Sequence, residues 1–445
     1  MRPIAIDLFS GAGGMSLGFE QAGFDVAAAV EIDPIHCAVH EFNFPETAVI
    51  AKSVVGLSAA EIRLRAKIGK QSIDCVFGGP PCQGFSMIGH RVLDDPRNRL
   101  VLEFVRLVAE LDAKSFVFEN VKGLTVGSQR VVLDEIVEAF ENAGYEVRSP
   151  WQVLDAASYG VPQHRQRLIL MGVKKGLDIP TYPAPTTNAA DGRKAVAGLP
   201  LGPNCREAIG DLPDADRYTT LLETDVVATS NFGAPSEYAQ EMRCLSNDAW
   251  RYSYVRDWTP SVLTSSARTQ HTAISRRRFS ETATGAVEPI SRFFKLPPEG
   301  LSNTLRAGTD GSRGAFTSPR PIHYAYNRCI TVREMARLHG FPDWFRCHAT
   351  KWHGARQIGN AVPPPLARAI ASSMMTALRQ KPAKPDRALK LGNTALLYLD
   401  MSDAADHFGV PRPSSKRDRK SGATKRKQHE IEAAVPRLKA VSGGR

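Results

Sequence analysis

An α/β fold organised on a parallel sheet is what the first 185 residues predict. Short apolar runs alternate there with stretches of helical spacing, as expected of strands covered by helices. The first run also ends in a glycine turn, Gly11-Ala12-Gly13-Gly14, where a strand hands over to a helix.

In chain order, Ile4–Phe9 reads as a strand and Gly14–Ala22 as a helix. Val26–Ile32, Asp74–Phe77, Phe116–Glu119 and Leu168–Val173 read as further strands. Leu100–Leu111 and Val131–Ala143 carry Leu, Val, Phe and Ile at helical spacing. Prolines 180, 183 and 185 then break the pattern. From about 186 to 318 the chain is irregular and polarised: 211–250 hold eight acidic and two basic residues, 251–313 ten basic and five acidic. A separate, smaller domain is expected there. Helical patterning resumes at Cys329–Leu338, and Pro363–Leu378 is one more helix after a triple proline. The α/β domain is therefore assigned to 1–185 and completed by 319–385, with 386–413 left as an extension of undecided structure. No internal repeat occurs.

At 445 residues, 42% hydrophobic and 23% charged, the composition is that of a soluble globular protein with more than one unit. No apolar run is long enough for a membrane span, and the N-terminus lacks a signal-peptide core. Seven scattered cysteines without a CxxC spacing argue against a disulfide framework or zinc knuckle and for a reducing cytoplasm. No metal is expected. Of the net charge of +11, the tail 414–445 holds +7, with ten Lys/Arg against three Asp/Glu. That tail reads as disordered and basic, either solubilising or weakly phosphate-binding.

Four segments carry chemistry. Glu31, twenty residues after Gly11 at the end of the second strand, is placed to bind ribose hydroxyls. The dinucleotide fingerprint fails because Ser16 stands at its third glycine, so a nucleoside cofactor without a pyrophosphate fits better. Gly78-Gly79-Pro80-Pro81-Cys82 is a rigid turn after a buried strand and puts Cys82 at the carboxyl edge of the sheet. An isolated cysteine is usually a small buried hydrophobe; this turn makes it a nucleophile. Phe116-Val117-Phe118 delivers Glu119 to the same edge, where a carboxyl group can protonate a ring nitrogen. Arg165 and Arg167, two residues apart before the strand Leu168–Val173, share a face. Taken singly, each of these charged groups would suit a surface ion pair.

Seven segments in this order resemble the C5-cytosine-specific DNA methyltransferase family of the bacterial restriction-modification type: DLFSGAGGMSLGFEQAG (7–23), VEIDP (30–34), GGPPCQGFS (78–86), FENVKG (118–123), YGVPQHRQRL (159–168), TVREMARLHGFPD (331–343) and QIGNAVPP (357–364). The resemblance implies a Rossmann-like S-adenosylmethionine-dependent domain with a smaller target-recognition domain at 186–318. It implies that Phe9, Gly11 and Gly13 form the cofactor loop and Glu31, with Ile32, binds ribose. Pro80 is expected beside the methionine moiety and Leu100 near the cofactor. Asn360 and Val362 are expected to fold back onto the pocket. Cys82 matches the nucleophile, Glu119 the acid at cytosine N3, and Arg165 an arginine that orients the base, with Arg167 beside it. Where many relatives carry an acid for the adenine amino group, this chain has Ser53.

The same resemblance implies double-stranded DNA as partner, a monomer, no membrane, and a cytoplasmic location with a restriction endonuclease as companion. Gln83 and Ser86 flank the nucleophile and are assigned to DNA. In the insert, Arg268, Arg276, Arg277, Arg278 and Arg306 suit phosphates or guanine edges, and Gln270 and His271 suit bases. Thr304-Leu305 resembles a Thr-Leu pair of such domains. An RNA methyltransferase of the same fold, a non-catalytic DNA-binding relative and a nicotinamide oxidoreductase are the alternatives. The last explains the glycine turn and leaves Cys82 without a role.

Overall fold

The computed structural model describes residues 2–81, 99–125, 129–193, 195–246, 248–308 and 320–412. Cys82, Gln83, Ser86 and the basic tail lie outside the described residues.

The strands of the main sheet are β1 (Ile4–Leu8), β2 (Asp25–Glu31), β3 (Ala48–Ala51), β4 (Cys75–Gly78), β5 (Ser115–Val121), β6 (Tyr145–Val147), β7 (Gln152–Asp155) and β8 (Gln166–Lys174). They lie in the order β3-β2-β1-β4-β5-β8-β6, with β7 also paired to β8. The first five are parallel, as the alternating pattern predicts. β8 instead runs antiparallel to β5, β6 and β7, a reversal at the edge of a mainly parallel sheet that the apolar pattern does not signal. The stretch from Asp155 to Gln166 is too short for the crossover helix that a parallel pair requires.

Helices α1 (Gly14–Ala22), α2 (Pro34–Asn43), α3 (Ala59–Arg65), α4 (Arg99–Glu110) and α5 (Gln129–Asn142) follow the early strands. α2 went unforeseen, although Asp33 caps it through the backbone N–H of Ile35 and Pro34 opens it. α6 (Cys205–Ile209), β9 (Val227–Ala228), α7 (Glu237–Met242), β10 (Val255–Asp257), β11 (Val262–Leu263) and α8 (Ala273–Glu281) make up the insert. After it come α9 (Val332–Leu338), α10 (Lys351–Asn360), α11 (Pro364–Ala377), β12 (Ala388–Lys390) and α12 (Met401–His407).

Period-2 alternation sorts the sheet into two cores. Ile6, Leu8, Val76, Phe116, Phe118 and Leu168 face α4 and α5, where Phe116 stacks on Phe140 at 3.7 Å. Ala5, Phe77, Val117 and Ile169 face α1 and α11, where Phe77 stacks on Phe19 at 3.7 Å. Burial of each such large side chain stabilises the fold by roughly 1.5–3 kcal/mol.

The insert shares its apolar core with the rest of the chain. Cys205, Ile209, Leu263, Leu296 and Leu305 pack in one cluster with Phe42 of α2, Met335 of α9, Ile358 of α10 and Leu397. The extension after residue 386 is folded onto the same body: β12 pairs with β10, and Leu397 is fully buried. Strand order reverses between β1 and β4, and in such sheets a crevice opens at the carboxyl ends of those strands.

Candidate active site

β1 ends in the turn that starts α1. Phe9 has φ +63° and Gly13, the N-cap, φ +100°; at Gly13 a side chain would also strike Phe44, 2.4 Å from the Cβ position. Ser16 donates to buried Asp7 at 2.6 Å, pinning the helix to the strand. Burial, against that hydrogen bond, pushes the Asp7 carboxyl well above the usual range. Glu31, at the end of β2, accepts the backbone N–H groups of Gly11, Ile32 and Asp33, each at 2.9 Å. Those bonds fix the carboxylate at the lip of the crevice.

β4 runs into Gly79, Pro80 and Pro81, the last described residues before Cys82. A Cβ on Gly79 would sit 2.4 Å from Glu119 Oε2, so glycine is what lets the turn pass the carboxyl group. Asn120 donates to the Pro80 carbonyl at 3.1 Å, tying the end of β5 to that turn. Sequence reasoning passed over this asparagine, although it directly follows Glu119.

Glu119 is mostly buried and ion-pairs with Arg167 at 2.7 Å. Burial raises its pKa above the ordinary carboxylate value, with Arg167 and then Arg165 pulling the other way. Arg165, 1% exposed, donates to the carbonyls of Leu305 at 3.0 Å and Gly359 at 2.8 Å. The paired arginines therefore divide the work: Arg167 holds the acid and Arg165 braces the backbone around it.

Phe9, Gly11, Glu31, Ile32, Pro80, Glu119, Arg165, Arg167, Asn360 and Val362 line one cavity of about 670 Å³. That lies within the roughly 300–1,000 Å³ typical of small-molecule sites. Arg356 of α10, also on the wall, pairs with Asp33 at 3.3 Å; nothing in the sequence pattern had marked α10 as a helix. Apolar Phe9, Pro80 and Val362 beside the fixed Glu31 carboxylate suit a nucleoside with a short side chain. Among the described residues no cluster of three or more His, Cys, Asp or Glu could hold a metal, and no helix is long and apolar enough to cross a membrane.

Other expected site residues stand apart from this cavity. Gly13 faces Phe44 and His40. Leu100 packs against the main core, and Ser53 is turned to accept the N–H of Val55 at 3.1 Å. Neither is on the cavity wall. Leu305 is 1% exposed in the shared core, so its side chain presents no surface to a nucleic acid.

The charge polarisation of the insert is largely internal pairing. Asp216 binds Arg268 at 3.3 Å and Arg276 at 2.7 Å, and Arg268 also donates to the Tyr218 carbonyl. His271 accepts the N–H of Cys329, and burial lowers its pKa to about 4. Arg277 is 81% exposed beside Glu281, and Thr304 donates to the His164 carbonyl at 2.8 Å.

A family model described as C-5 cytosine-specific DNA methylase matches residues 4–376. The Type II methyltransferase M.XorII of Xanthomonas oryzae is 58% identical over 409 residues, 92% of this chain and 93% of that protein. M1.HphI of Haemophilus parahaemolyticus, also a Type II methyltransferase, is 34% identical over 83% of this chain and 86% of its own length. A crystal structure of a protein provisionally assigned as a DNA modification methyltransferase, from an E. coli prophage, aligns with a TM-score of 0.66 and 31% identity. It covers 85% of this chain and 100% of the other.

Proposed function

Because the chain belongs to the family of C-5 cytosine-specific DNA methylases, we propose that it methylates C5 of a cytosine turned out of a specific duplex sequence, using S-adenosylmethionine and Cys82. The observation that carries this reading is the buried Glu119–Arg167 pair on the wall of the cavity that Glu31 and the glycine turn also line. A base inside a duplex cannot reach such a wall, so the cytosine must be extruded.

S-adenosylmethionine supplies an electrophilic methyl group on its sulfonium. Glu31 holds the ribose, and Phe9, Pro80 and Val362 enclose the rest. Cys82, as a thiolate, adds to C6 of cytosine and breaks the C5–C6 double bond. Glu119 holds a proton at N3, so the electron pair collects at C5, which takes the methyl group as the methyl–sulfur bond breaks and S-adenosylhomocysteine is released. Water takes the C5 proton, and the electron pair left behind re-forms the C5–C6 double bond and expels Cys82 from C6 as the thiolate. One hard substitution thus becomes a series of easier steps.

Residues 186–318 are the target-recognition region, 1–185 with 319–385 the catalytic region, and the protein acts as a cytoplasmic monomer. The Type II designation of the relatives supports a companion endonuclease that cuts the same site. Duplex DNA carrying 5-fluorocytosine at the target tests the chemistry, because fluorine at C5 cannot leave as a proton. Wild-type protein should form a denaturant-stable complex and Cys82→Ser none; no complex with wild type would overturn the mechanism.

A further inference from the structure

A buried hydrogen-bonded chain joins the insert to the wall of the cavity. The backbone N–H of Leu305 donates to Gln163 Oε1 at 2.9 Å. Gln163 Nε2 lies 2.9 Å from His339 Nδ1, and His339 Nε2 lies 3.0 Å from the Ala361 carbonyl. A carbonyl only accepts, so Nε2 carries the imidazole proton and Nδ1 accepts from the Gln163 amide. One tautomer and one amide orientation satisfy every group in the chain. Gln163 and His339 are both fully buried. Burial, then the nearby Arg165 guanidinium, pushes His339 well below the usual histidine range, which keeps it neutral.

The ends of this chain belong to different parts of the site. Leu305 is in the insert. Ala361 stands between Asn360 and Val362 on the cavity wall, and a Cβ on Gly14 at the start of α1 would lie 2.6 Å from the Val362 carbonyl. Arg165 braces the same two strands of backbone from the side, through Leu305 and Gly359. The Ala361 carbonyl is thus held by His339, His339 by Gln163, and Gln163 in turn is bonded to the insert at Leu305.

We propose that His339 is a positioning residue that, acting with Gln163 as one relay, sets the Asn360–Val362 wall of the cofactor cavity and ties it to the insert at Leu305. The proposal rests on the reading that this cavity takes S-adenosylmethionine. Leucine at 339 would leave the Ala361 carbonyl unpaired in a buried place and the Gln163 amide with only its longer bond to the Leu338 carbonyl, at 3.3 Å, whereas glutamine offers both a donor and an acceptor.

The test is the affinity of the full-length protein for S-adenosylhomocysteine, by titration calorimetry, with the KM and kcat of methylation alongside. His339→Leu and Gln163→Leu should each weaken binding about tenfold, and the double variant no further, because both break one relay. His339→Gln should bind within about twofold of wild type. KM for S-adenosylmethionine should follow these affinities while kcat stays within about twofold; a merely structural loss would lower kcat through the active fraction and leave affinity alone. Unchanged affinity in His339→Leu, or losses that multiply in the double variant, would overturn the relay. Should His339→Leu not fold, His339→Gln against Gln163→Leu carries the same comparison, and equal affinities overturn it. Failure of the wild type itself to bind would overturn the cofactor reading instead.

Discussion

Glu119 and Arg167 meet at 2.7 Å, an acid from the end of β5 and a base from the start of the antiparallel strand beside it. The register that places Val121 opposite Arg167 allows the guanidinium to reach back to the carboxyl group. The pair has a chemical consequence. Burial favours the protonated acid that can donate to a ring nitrogen, and Arg167 restrains the shift so that the proton can still be exchanged.

Loss of Arg167 should move the pH dependence in a definite direction. The acid works protonated, so activity should fall as pH rises through the raised pKa of Glu119. Arg167→Leu removes the first of the groups that lower this pKa, so the fall in kcat/KM should shift to higher pH. Its maximum should also drop, by roughly 10–100-fold, as the acid loses its orientation. A shift to lower pH in a pH–rate profile would contradict this assignment.

Gly79→Ala should damage chemistry more than cofactor binding. The added methyl lies 2.4 Å from Glu119 Oε2 and must displace the carboxyl group. A displacement near 1 Å can lower the rate about a hundredfold. Steady-state kinetics should show that loss in kcat, while S-adenosylhomocysteine affinity stays close to wild type.

Much of this site was legible because its residues are local. The turn from Gly11, the acid at Glu31, the proline turn and Glu119 each sit at a strand end that apolar spacing marks, and the carboxyl edge of a sheet gathers strand ends. Contacts made across long separations left no such trace. The brace from Arg165 to Gly359 and the relay from Gln163 to His339 join residues more than 170 positions apart. The reversal of β8 was hidden because an apolar run has the same pattern in either direction. The pairing of the insert's arginines was hidden for a related reason, since a charge's partner is set by the fold: Asp216 takes Arg268 and Arg276.

Two of those arginines should separate cleanly. Arg268 is enclosed by Asp216 and the Tyr218 carbonyl, so Arg268→Ala should destabilise the fold by about 1–3 kcal/mol in denaturant unfolding. Arg277 is solvent-facing, and Arg277→Ala should leave the denaturant midpoint indistinguishable from that of the wild type. If it meets phosphate, the slope of log K against log salt should fall by about one unit. Equal stabilities of the two variants would contradict the placement of Arg268.

Acid should unfold this protein partly through Glu334. Burial raises its pKa, but the Arg328 guanidinium, bonded to both oxygens, and the Thr331 N–H outweigh this and hold it at about 2. Its pKa is depressed, so its stabilisation is complete above the unfolded value of about 4.3 and is lost as pH falls toward 2. Glu334→Gln should lower stability at pH 7 by about 3–5 kcal/mol and flatten the decline between pH 4.5 and 2. Urea unfolding at a series of pH values measures both effects.

Bisulfite sequencing of DNA from a methylation-free bacterial host tests the central claim most directly. Expression of the wild-type chain should protect one cytosine within a recurring short sequence from conversion, and Cys82→Ser should leave every cytosine convertible. Complete conversion with the wild type, or protection that persists in Cys82→Ser, would contradict it.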